Sequence, residues 1–257
     1  SWAILCRESI MHCHLIQGIN GCRFAVERKC VTIVVDALRA SATAAMLFDA
    51  GATELVLVAS VEDAFAAKAA HPEAILAGER GGLPPEGFDM GNSPRNAGRA
   101  NGRTVIFTTT TGSQWMVQST GAADLFMGTT VNATAVAQAA LVAATRHDAD
   151  IVLIPSGLST DPDFSAQEDW VAATVIASKL GIAIETGRDT YEYWLARIEQ
   201  EGVDTLFQSA PHAEKLRTVG LTDDIAFCAR IDVTDRVPVA VARTPEGVIV
   251  RDCTRKG

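Results

Sequence analysis

The chain has 257 residues, of which 48% are hydrophobic, and it carries a formal net charge of -9 with a sequence pI near 5.0. Such an acidic protein is poorly suited to a nucleic-acid backbone or an anionic membrane surface, so we expect neither as a partner. No apolar run reaches the length of a membrane span, and the first residues lack the basic and apolar order of a secretory signal. We therefore expect a cytoplasmic globular protein. It would be one α/β domain over 1–257, or two lobes with the active site between them.

Strands and helices alternate along most of the chain. Residues 1–29 give mixed signals, and we predict them as strands at a sheet edge. Val31–Val35 is a continuous β-branched run, typical of a strand buried on both faces, and it ends at Asp36. An alanine-rich helix is predicted over 38–48, so Asp36 stands where a strand passes into a helix. Open α/β sheets bind ligands at that position.

The same unit recurs further along the chain. Strands are predicted at 55–58, 74–77, 104–108, 124–127 and 151–155, with helices between them. Ser93-Pro94 has the form of an N-cap with a first-turn proline, and Asn132 is predicted to cap the helix after it. Ser165 and Glu168 match a capping box at the start of a helix over 165–180.

Helical segments follow as far as residue 219, and the chain closes with two strands. These strands, 237–242 and 248–250, are separated by Thr244-Pro245-Glu246-Gly247, which predicts a hairpin. The whole order predicts an α/β fold with three layers, α/β/α, around a mainly parallel, mixed sheet. The hairpin is predicted to form an antiparallel C-terminal edge of that sheet.

Cysteines and histidines show no clear metal or disulfide pattern. In a cytosolic chain we expect the six cysteines to be buried as small apolar side chains rather than paired. The run His12-Cys13-His14 could suggest a metal site, but alternate strand residues face opposite ways, so Cys13 would point away from both histidines. We predict no metal there, and we assign no catalytic role to any histidine. The five histidines are His12, His14, His71, His147 and His212.

A long irregular segment, residues 78–94, follows the predicted strand at 74–77. It begins Gly78-Glu79-Arg80-Gly81-Gly82 and ends Gly91-Asn92-Ser93-Pro94. Loops of this length inside a compact domain are usually functional or disordered. Because an apolar run precedes this one and a helix start follows it, we predict that it forms the floor of an active site.

Polar residues follow the ends of several predicted parallel strands, and such ends meet at one side of a sheet. These residues are Asp36, Arg39, Glu79, Arg80, Thr109, Thr110, Thr111, Gly112, Ser113, Ser156 and Gly157. The turn 109–113 has two interpretations. Its backbone N–H groups bind phosphate or sulfonate at a helix start, or Ser113 or a threonine caps that helix in an ordinary turn. It is not a P-loop, because Gly-Lys-Ser/Thr is missing.

Three acids and two arginines complete the predicted site. Asp36, Glu79 and Asp89 are candidate ligands of Mg²⁺, which prefers a few carboxylates together with water and substrate phosphate. Arg39 and Arg80 are candidates for binding a tetrahedral anion, with surface salt bridges as the alternative.

Several of these motifs, in this order, match a known family. They are Asp36-Ala37-Leu38-Arg39-Ala40-Ser41, Gly78-Glu79-Arg80-Gly81-Gly82, Gly87-Phe88-Asp89-Met90-Gly91-Asn92-Ser93-Pro94, Thr108-Thr109-Thr110-Thr111-Gly112, Asn132-Ala133 and Glu168-Asp169. With them the chain resembles the 2-phosphosulfolactate phosphatase family over about residues 30–180. Two features depart from the family pattern. Thr111 and Ser113 replace an asparagine and a threonine in the turn, and the cysteine common in the family near Pro155 or Ser156 is missing.

The resemblance implies a magnesium-dependent phosphatase that converts 2-phosphosulfolactate to sulfolactate and phosphate, a step towards coenzyme M. Our hypothesis is that Mg²⁺ on some of Asp36, Glu79 and Asp89 binds the phosphate, and that Arg39 or Arg80 adds positive charge. Asp36 or Glu168 would activate water or attack directly. The predicted substrate contacts are Asn92, Ser93, Thr109, Thr110, Thr111, Gly112, Ser113, Ser156 and Gly157.

Alternative functions follow from the same crevice. The enzyme could act on another small phosphorylated hydroxy acid, or the chain could bind a phosphorylated or sulfonated metabolite without catalysis. A haloacid-dehalogenase-type phosphatase is excluded, because it needs Asp-x-Asp and Asp36 is followed by Ala37-Leu38. The expected partner is a small anionic phosphomonoester. The sequence does not fix the oligomeric state, and a homo-oligomer is compatible with it.

Overall fold

The computed structural model describes residues 10–161 and 163–255. The strands are β1 (His12–Leu15), β2 (Val31–Val35), β3 (Glu54–Leu57), β4 (Ile75–Gly78), β5 (Thr104–Thr108), β6 (Asp124–Met127), β7 (Ile151–Pro155), β8 (Ala183–Thr186), β9 (Pro238–Thr244) and β10 (Gly247–Asp252). The α-helices are α1 (Gly18–Arg28), α2 (Ala40–Asp49), α3 (Val61–Ala70), α4 (Gly112–Gln118), α5 (Ala133–His147), α6 (Gln167–Leu180), α7 (Arg188–Glu201), α8 (Val203–Gln208), α9 (Pro211–Thr218) and α10 (Thr222–Cys228). Two 3₁₀ helices cover Pro94–Ala100 and Thr130–Asn132.

Within the described residues, ten strands form one sheet in the order β4-β5-β3-β10-β9-β6-β2-β7-β1-β8. Two groups of parallel strands make up most of it: β4, β5 and β3 on one side, and β6, β2, β7, β1 and β8 on the other. The hairpin of β9 and β10 joins the groups and is antiparallel to its neighbour in each. The two parallel groups therefore run in opposite directions across the hairpin.

Helices cover both faces of the sheet. In β2, the side chains of Val31, Ile33 and Val35 join one apolar cluster with α5 and α6, while Val34 joins a second cluster with α1, α2 and α4. That second cluster also contains Leu57 of β3 and residues of β4, β5 and β10. Both strand groups therefore pack on the same helices, α1, α2 and α4. A third cluster places α3 on the outer face of β3, β4 and β5. One helix layer therefore spans both strand groups.

The predicted α/β fold with three layers and a mainly parallel, mixed sheet is confirmed. The C-terminal hairpin is also confirmed, but its predicted position at a sheet edge is wrong, because β9 and β10 lie inside the sheet between β6 and β3. Residues 18–28 form helix α1 rather than a strand, while β1 is the predicted strand and lies next to the edge strand β8. Residues 1–9 of that prediction lie outside the described part of the chain.

Four cysteines are buried and unpaired, as predicted: Cys13, Cys22, Cys30 and Cys228. Cys253 is also unpaired but exposed, so its predicted burial is wrong, and Cys6 lies outside the described residues. Among the helices of the described residues, none is long and apolar enough to cross a membrane.

Candidate active site

A pocket of about 310 Å³ opens where the loops after β2, β4 and β5 meet α9. Its lining residues are Asp36, Leu38, Arg39, Glu79, Gly81, Gly82, Asn92, Thr110, Thr111, Leu158, Thr160, Phe164, His212, Lys215 and Leu216. Both ends of the 78–94 loop therefore contribute, as the prediction of an active-site floor requires. Of the predicted site residues, Asp36, Arg39, Glu79, Asn92, Thr110 and Thr111 line the pocket directly.

Asp36 follows the last residue of β2 and is nearly buried. Its Oδ1 accepts a hydrogen bond from the backbone N–H of Ala40, 3.1 Å away, at the start of α2. Gly112 leaves room for the other oxygen, because a Cβ there would lie 2.6 Å from Asp36 Oδ2. Burial raises the pKa of Asp36 to about 6, and the charges of Glu79 and Glu168 add to the rise while His212 opposes it. Asp36 therefore titrates close to neutral pH.

Glu168 is buried next to the pocket and is paired with a histidine. Its Oε1 lies 3.0 Å from His212 Nδ1, while its Oε2 has no hydrogen-bond partner among the described residues. The predicted capping box is wrong, because α6 begins at Gln167 with Ala166 at its N-cap, and no side chain caps it. Because the helix begins later than predicted, Glu168 does not cap it with Ser165 and pairs with His212 instead.

His212 is the main residue that the sequence analysis missed. Burial disfavours its charged form, but the hydrogen bond to Glu168 and the charges of Glu168, Asp36 and Glu79 outweigh this, so the His212 pKa is raised. The three carboxylates around it therefore favour the protonated form of the imidazole. A sequence signal exists in retrospect, since His212 and Lys215 lie three residues apart on α9 and so share one helix face.

Asp169 holds two loops together beneath the pocket. Its Oδ1 accepts from the Ala37 N–H and its Oδ2 from the Gly157 N–H, both at 2.8 Å. Burial, together with the charges of Glu168 and Asp36, raises the pKa of Asp169 well above its usual value. Ser156 and Gly157 do not line the pocket. Asp169 supports the loops around the pocket by its hydrogen bonds to the backbone N–H groups of Ala37 and Gly157.

Glu79 joins the start of the 78–94 loop to the threonine turn. Its Oε1 accepts from the Thr110 N–H at 2.7 Å and its Oε2 from the Gly82 N–H at 2.9 Å. Arg80 faces away from the pocket lining: its guanidinium donates to the carbonyl groups of Glu79 and Ala59 and to Thr108 Oγ1. The structure thus separates the two neighbours, and Arg80 ties strands together.

Arg39 lines the pocket but is held by a second acid that sequence analysis did not identify. Its Nη1 lies 2.6 Å from Asp224 Oδ2 on α10, and both side chains are only 2% exposed. Its Nη2 donates to the Gly82 carbonyl at 2.8 Å. Asp224 Oδ1 accepts from Ser93 Oγ at 2.8 Å, so Ser93 supports Arg39 from outside the lining rather than capping the 3₁₀ helix. Asn92 lines the pocket, and its Oδ1 is buried without a partner in the described ranges.

The threonine turn follows the capping interpretation. The Thr109 N–H donates to Ser113 Oγ at 2.9 Å, and the Ser113 N–H donates to Thr109 Oγ1 at 3.1 Å. With Thr110 N–H bound to Glu79, three backbone donors of the turn are already engaged. Thr109, Gly112 and Ser113 shape the turn, while Thr110 and Thr111 reach the lining.

Asp89 is exposed and lies outside the pocket lining. Its Oδ2 accepts from the Leu76 N–H at 2.8 Å, and its own N–H donates to the Leu76 carbonyl. This local pairing fastens the 78–94 loop to β4, which argues against Asp89 as a metal ligand of this pocket.

Comparisons with known proteins point to one family. The family described as 2-phosphosulpholactate phosphatase matches residues 20–243. A probable 2-phosphosulfolactate phosphatase from Carboxydothermus hydrogenoformans is 35% identical over 226 residues, which cover 87% of this chain and 90% of the relative. Relatives of the same name from Thermus thermophilus and Deinococcus radiodurans are 35% and 34% identical. They cover 86% and 82% of this chain and 92% and 88% of their own lengths.

The chain belongs to the 2-phosphosulfolactate phosphatase family. The resemblance predicted from the motifs is thereby confirmed, and the match continues well beyond residue 180. The matched residues beyond 180 include α9, with His212 and Lys215, and α10, with Asp224.

The acidic residues of this 2-phosphosulfolactate phosphatase family member fit a divalent cation. Asp36 and Glu79 line the pocket, and Glu168 Oε2 is a buried carboxylate oxygen without a hydrogen-bond partner in the described ranges. A buried anionic oxygen left unpaired is costly unless a cation or a proton satisfies it. The raised pKa values of Asp36 and Asp169 have the same origin, because several carboxylates crowd a dry site. Oxygen ligands of this kind suit Mg²⁺.

Proposed function

We propose that this chain is a magnesium-dependent phosphatase that hydrolyses 2-phosphosulfolactate to sulfolactate and phosphate. Family membership supports the reaction class, and the printed names of the relatives suggest the substrate. The observation that carries the proposal is the pairing, in one pocket, of crowded carboxylates with a lysine and with a histidine whose pKa is raised. A phosphomonoester dianion needs charge neutralisation and a proton for its leaving oxygen, and this lining offers both.

The carboxylates of the strand ends would repel a phosphate dianion unless a cation lay between them. Asp36 and Glu79 lie in the lining, and the Arg39 charge is already balanced by Asp224. Asp36, Glu79 and Glu168 are the residues that would hold Mg²⁺. The bound ion would supply positive charge that draws the phosphate oxygens to the carboxylates.

Asp36 is the proposed reacting carboxylate. Its Oδ1 is fixed by the Ala40 N–H, and Glu168 is already paired with His212, which leaves Asp36 as the freer acid of the two. With a pKa of about 6, Asp36 is ionised at neutral pH. It either attacks phosphorus directly or accepts a proton from the attacking water.

His212 is the proposed proton donor. Glu168 holds its Nδ1 at 3.0 Å, so Nε2 is the nitrogen left to face a molecule in the pocket. Protonation of the ester oxygen by His212 lets sulfolactate leave as a neutral hydroxyl rather than as an alkoxide. Lys215 contributes the charge for the second acidic group of the substrate. Its Nζ lies 3.9 Å from the centre of the Phe164 ring, a contact that limits its freedom.

A phosphate-release assay tests the proposal. The substrates are 2-phosphosulfolactate, phospholactate, phosphoglycolate and phosphoglycerate, each with and without Mg²⁺. We expect release that depends on Mg²⁺ and a preference for the sulfonate. The same release from all four esters would point to a phosphatase for another phosphorylated hydroxy acid. Full magnesium-dependent turnover in both Asp36→Asn and Glu79→Gln would refute the site.

Calorimetry separates the enzyme from a binding protein. Tight, magnesium-dependent binding of the phosphomonoesters without any release of phosphate would favour a non-catalytic metabolite-binding protein. The histidine argues for catalysis, because a binding protein gains nothing from a proton donor held beside three carboxylates.

A further inference from the structure

A second group of side chains of the types that bind metals lies at the opposite ends of the strands from the pocket. His12 and His14 come from β1, Asp150 directly precedes β7, and Glu185 comes from the edge strand β8. The pocket, by contrast, is built at the carboxyl ends of β2, β4 and β5. This group, called the β1 cluster below, is independent of the proposed phosphatase reaction.

An irregularity in β8 places Glu185 in the β1 cluster. In the pairing of β1 with β8, Cys13 is opposite Ile184 but His14 is opposite Thr186, so Glu185 is the extra residue of a β-bulge. In a regular strand Glu185 and Thr186 would face opposite sides of the sheet, whereas both contact His14 here. Bulges redirect side chains in this way and are common at functional sites. Cys13 faces the other side and is fully buried, as the sequence analysis predicted.

Three residues of the β1 cluster, His12, Asp150 and Glu185, have ligand atoms that all lie within 4.8 Å of one another, and His14 approaches both carboxylates. One oxygen, Glu185 Oε2, lies 3.6 Å from His12 Nδ1 and 3.8 Å from His14 Nε2. Asp150 Oδ2 lies 3.4 Å from His14 Nε2, and Asp150 Oδ1 lies 3.8 Å from His12 Nδ1. Ligands bound tetrahedrally to zinc at roughly 2.0–2.2 Å stand about 3.4 Å apart, which is close to these four distances.

Neighbouring groups orient the ligands of the β1 cluster. His14 Nδ1 is hydrogen-bonded to Thr186 Oγ1 at 2.8 Å, which directs Nε2 towards the two carboxylates. Asp150 Oδ1 accepts from the His12 backbone N–H at 2.8 Å, which fixes that carboxylate. His14 is only 2% exposed and packs against Phe24 of α1. Partners of this kind, which fix the tautomer and the ring plane, typically accompany metal-binding histidines.

We propose that His12, His14, Asp150 and Glu185 bind one zinc-class divalent ion that fastens β8 to β1 and β7. Two imidazoles and two carboxylates select Zn²⁺ or a similar transition metal over Mg²⁺, which prefers oxygen ligands alone. Strand β8 is a short strand at the edge of the described sheet and pairs there only with β1. A bound ion would therefore stabilise this side of the fold.

The test uses the untagged full chain, stripped with a chelator and then kept in excess Mg²⁺ so that the pocket acids are occupied. Zn²⁺ is titrated against a chromophoric chelator, and Co²⁺ is added separately to record its visible absorption. We expect one equivalent of Zn²⁺ to bind, with a dissociation constant of 1 µM or below as a rough threshold, and Co²⁺ to give the intense spectrum of a tetrahedral site. Binding should persist in Asp36→Asn.

Glu185→Gln is the main variant, because Glu185 is exposed and its replacement should leave the fold intact. We expect it to weaken Zn²⁺ at least tenfold, as a rough measure, and to abolish the rise in melting temperature that Zn²⁺ gives the parent. His147→Gln is the matched control: His147 lies 3.1 Å from Asp124, but Arg146 already occupies that carboxylate. The proposal would be overturned if the parent did not bind zinc. It would also be overturned if His12→Gln and Glu185→Gln bound zinc as tightly as the parent.

Discussion

The two walls of the pocket differ in origin and in charge. The strand-end wall consists of Asp36, Glu79, Thr110 and Thr111, on loops that follow β2, β4 and β5. The helical wall consists of His212, Lys215 and Leu216 on α9. The first wall supplies carboxylates and the second supplies positive charge and a proton.

Each wall is supported from behind by a contact between a basic side chain and a buried acid. His212 of the helical wall binds Glu168 behind the pocket, and Arg39 beside the strand-end wall binds Asp224 of α10. His212 also lowers the pKa of Asp36, against the rise that burial causes there. A side chain of the helical wall therefore tunes the acid that the end of β2 positions.

Asp36→Asn should have the largest effect. Removal of the reacting carboxylate is expected to lower kcat by about 1,000-fold or more, measured by phosphate release at saturating Mg²⁺. Asp89→Asn is the matched control, since Asp89 is an exposed acid bound to the Leu76 N–H. It should change kcat less than about twofold. If Asp89→Asn were the more damaging change, the assignment of the strand-end wall would be wrong.

Asp36→Asn should also be more stable than the parent in metal-free buffer above pH 6. The folded Asp36 keeps its proton up to a pKa of about 6, whereas the unfolded side chain loses it near 3.8, so the parent loses stability as the pH rises through this window. A rise from 3.8 to about 6 corresponds to at most about 3 kcal/mol. Urea unfolding at pH 4 and pH 8 should show the gain of Asp36→Asn only at pH 8.

Asp224→Ala should cause the next largest effect, on folding rather than on chemistry. It leaves the Arg39 guanidinium buried without its acid, and breaking such a pair typically costs about 3–5 kcal/mol in the free energy of unfolding. Asp223→Ala is the control, because Asp223 forms an exposed pair with Arg95 and should cost less than about 1 kcal/mol. Equal losses in the two variants would mean that the buried pair stabilises the fold no more than the exposed pair does.

His212→Gln should lower kcat by about 100-fold, the usual contribution of a general acid. In the parent, the charges around His212 raise its pKa, so activity should decline only when the pH passes that raised value. The decline at high pH should be absent from His212→Gln. In Glu168→Gln it should move to lower pH, because the main partner that raises the His212 pKa is weakened. A decline that is unchanged in both variants would assign the proton to another group.

Much of the strand-end wall could be predicted from the sequence, because its geometry is local. A buried strand that ends at Asp36 before a helix fixes where that side chain lies, and the glycines around Glu79 indicate an irregular loop. The turn 109–113 allowed two interpretations. Sequence could not decide between them, because the choice depends on whether Ser113 or a ligand takes the Thr109 N–H.

The helical wall could not be predicted in this way, because its position depends on tertiary packing. Helix α9 reaches the pocket through Ala213 and Leu216, which join the apolar cluster of β2, α5 and α6. The role of Glu168 was hidden by a matching local pattern: Ser165 and Glu168 fit a capping box, but α6 begins two residues after Ser165. The interior position of the C-terminal hairpin likewise depends on long-range pairing, with β3 on one side and β6 on the other.

Lys215→Met should have a smaller effect than Asp36→Asn, Asp224→Ala or His212→Gln. It tests which group of the substrate the helical wall binds. Lys215 lies at the rim of the pocket over Phe164, where methionine keeps the apolar contact and removes the charge. We expect KM for 2-phosphosulfolactate to rise by about tenfold with little change in kcat, because a charge that binds ground state and transition state alike affects KM alone. Arg217→Met removes a cation from the same helix, but Arg217 is bound to Glu214 and to Gln208, so KM should stay within about twofold. A large fall in kcat in Lys215→Met would instead place this lysine among the groups that act on the phosphate.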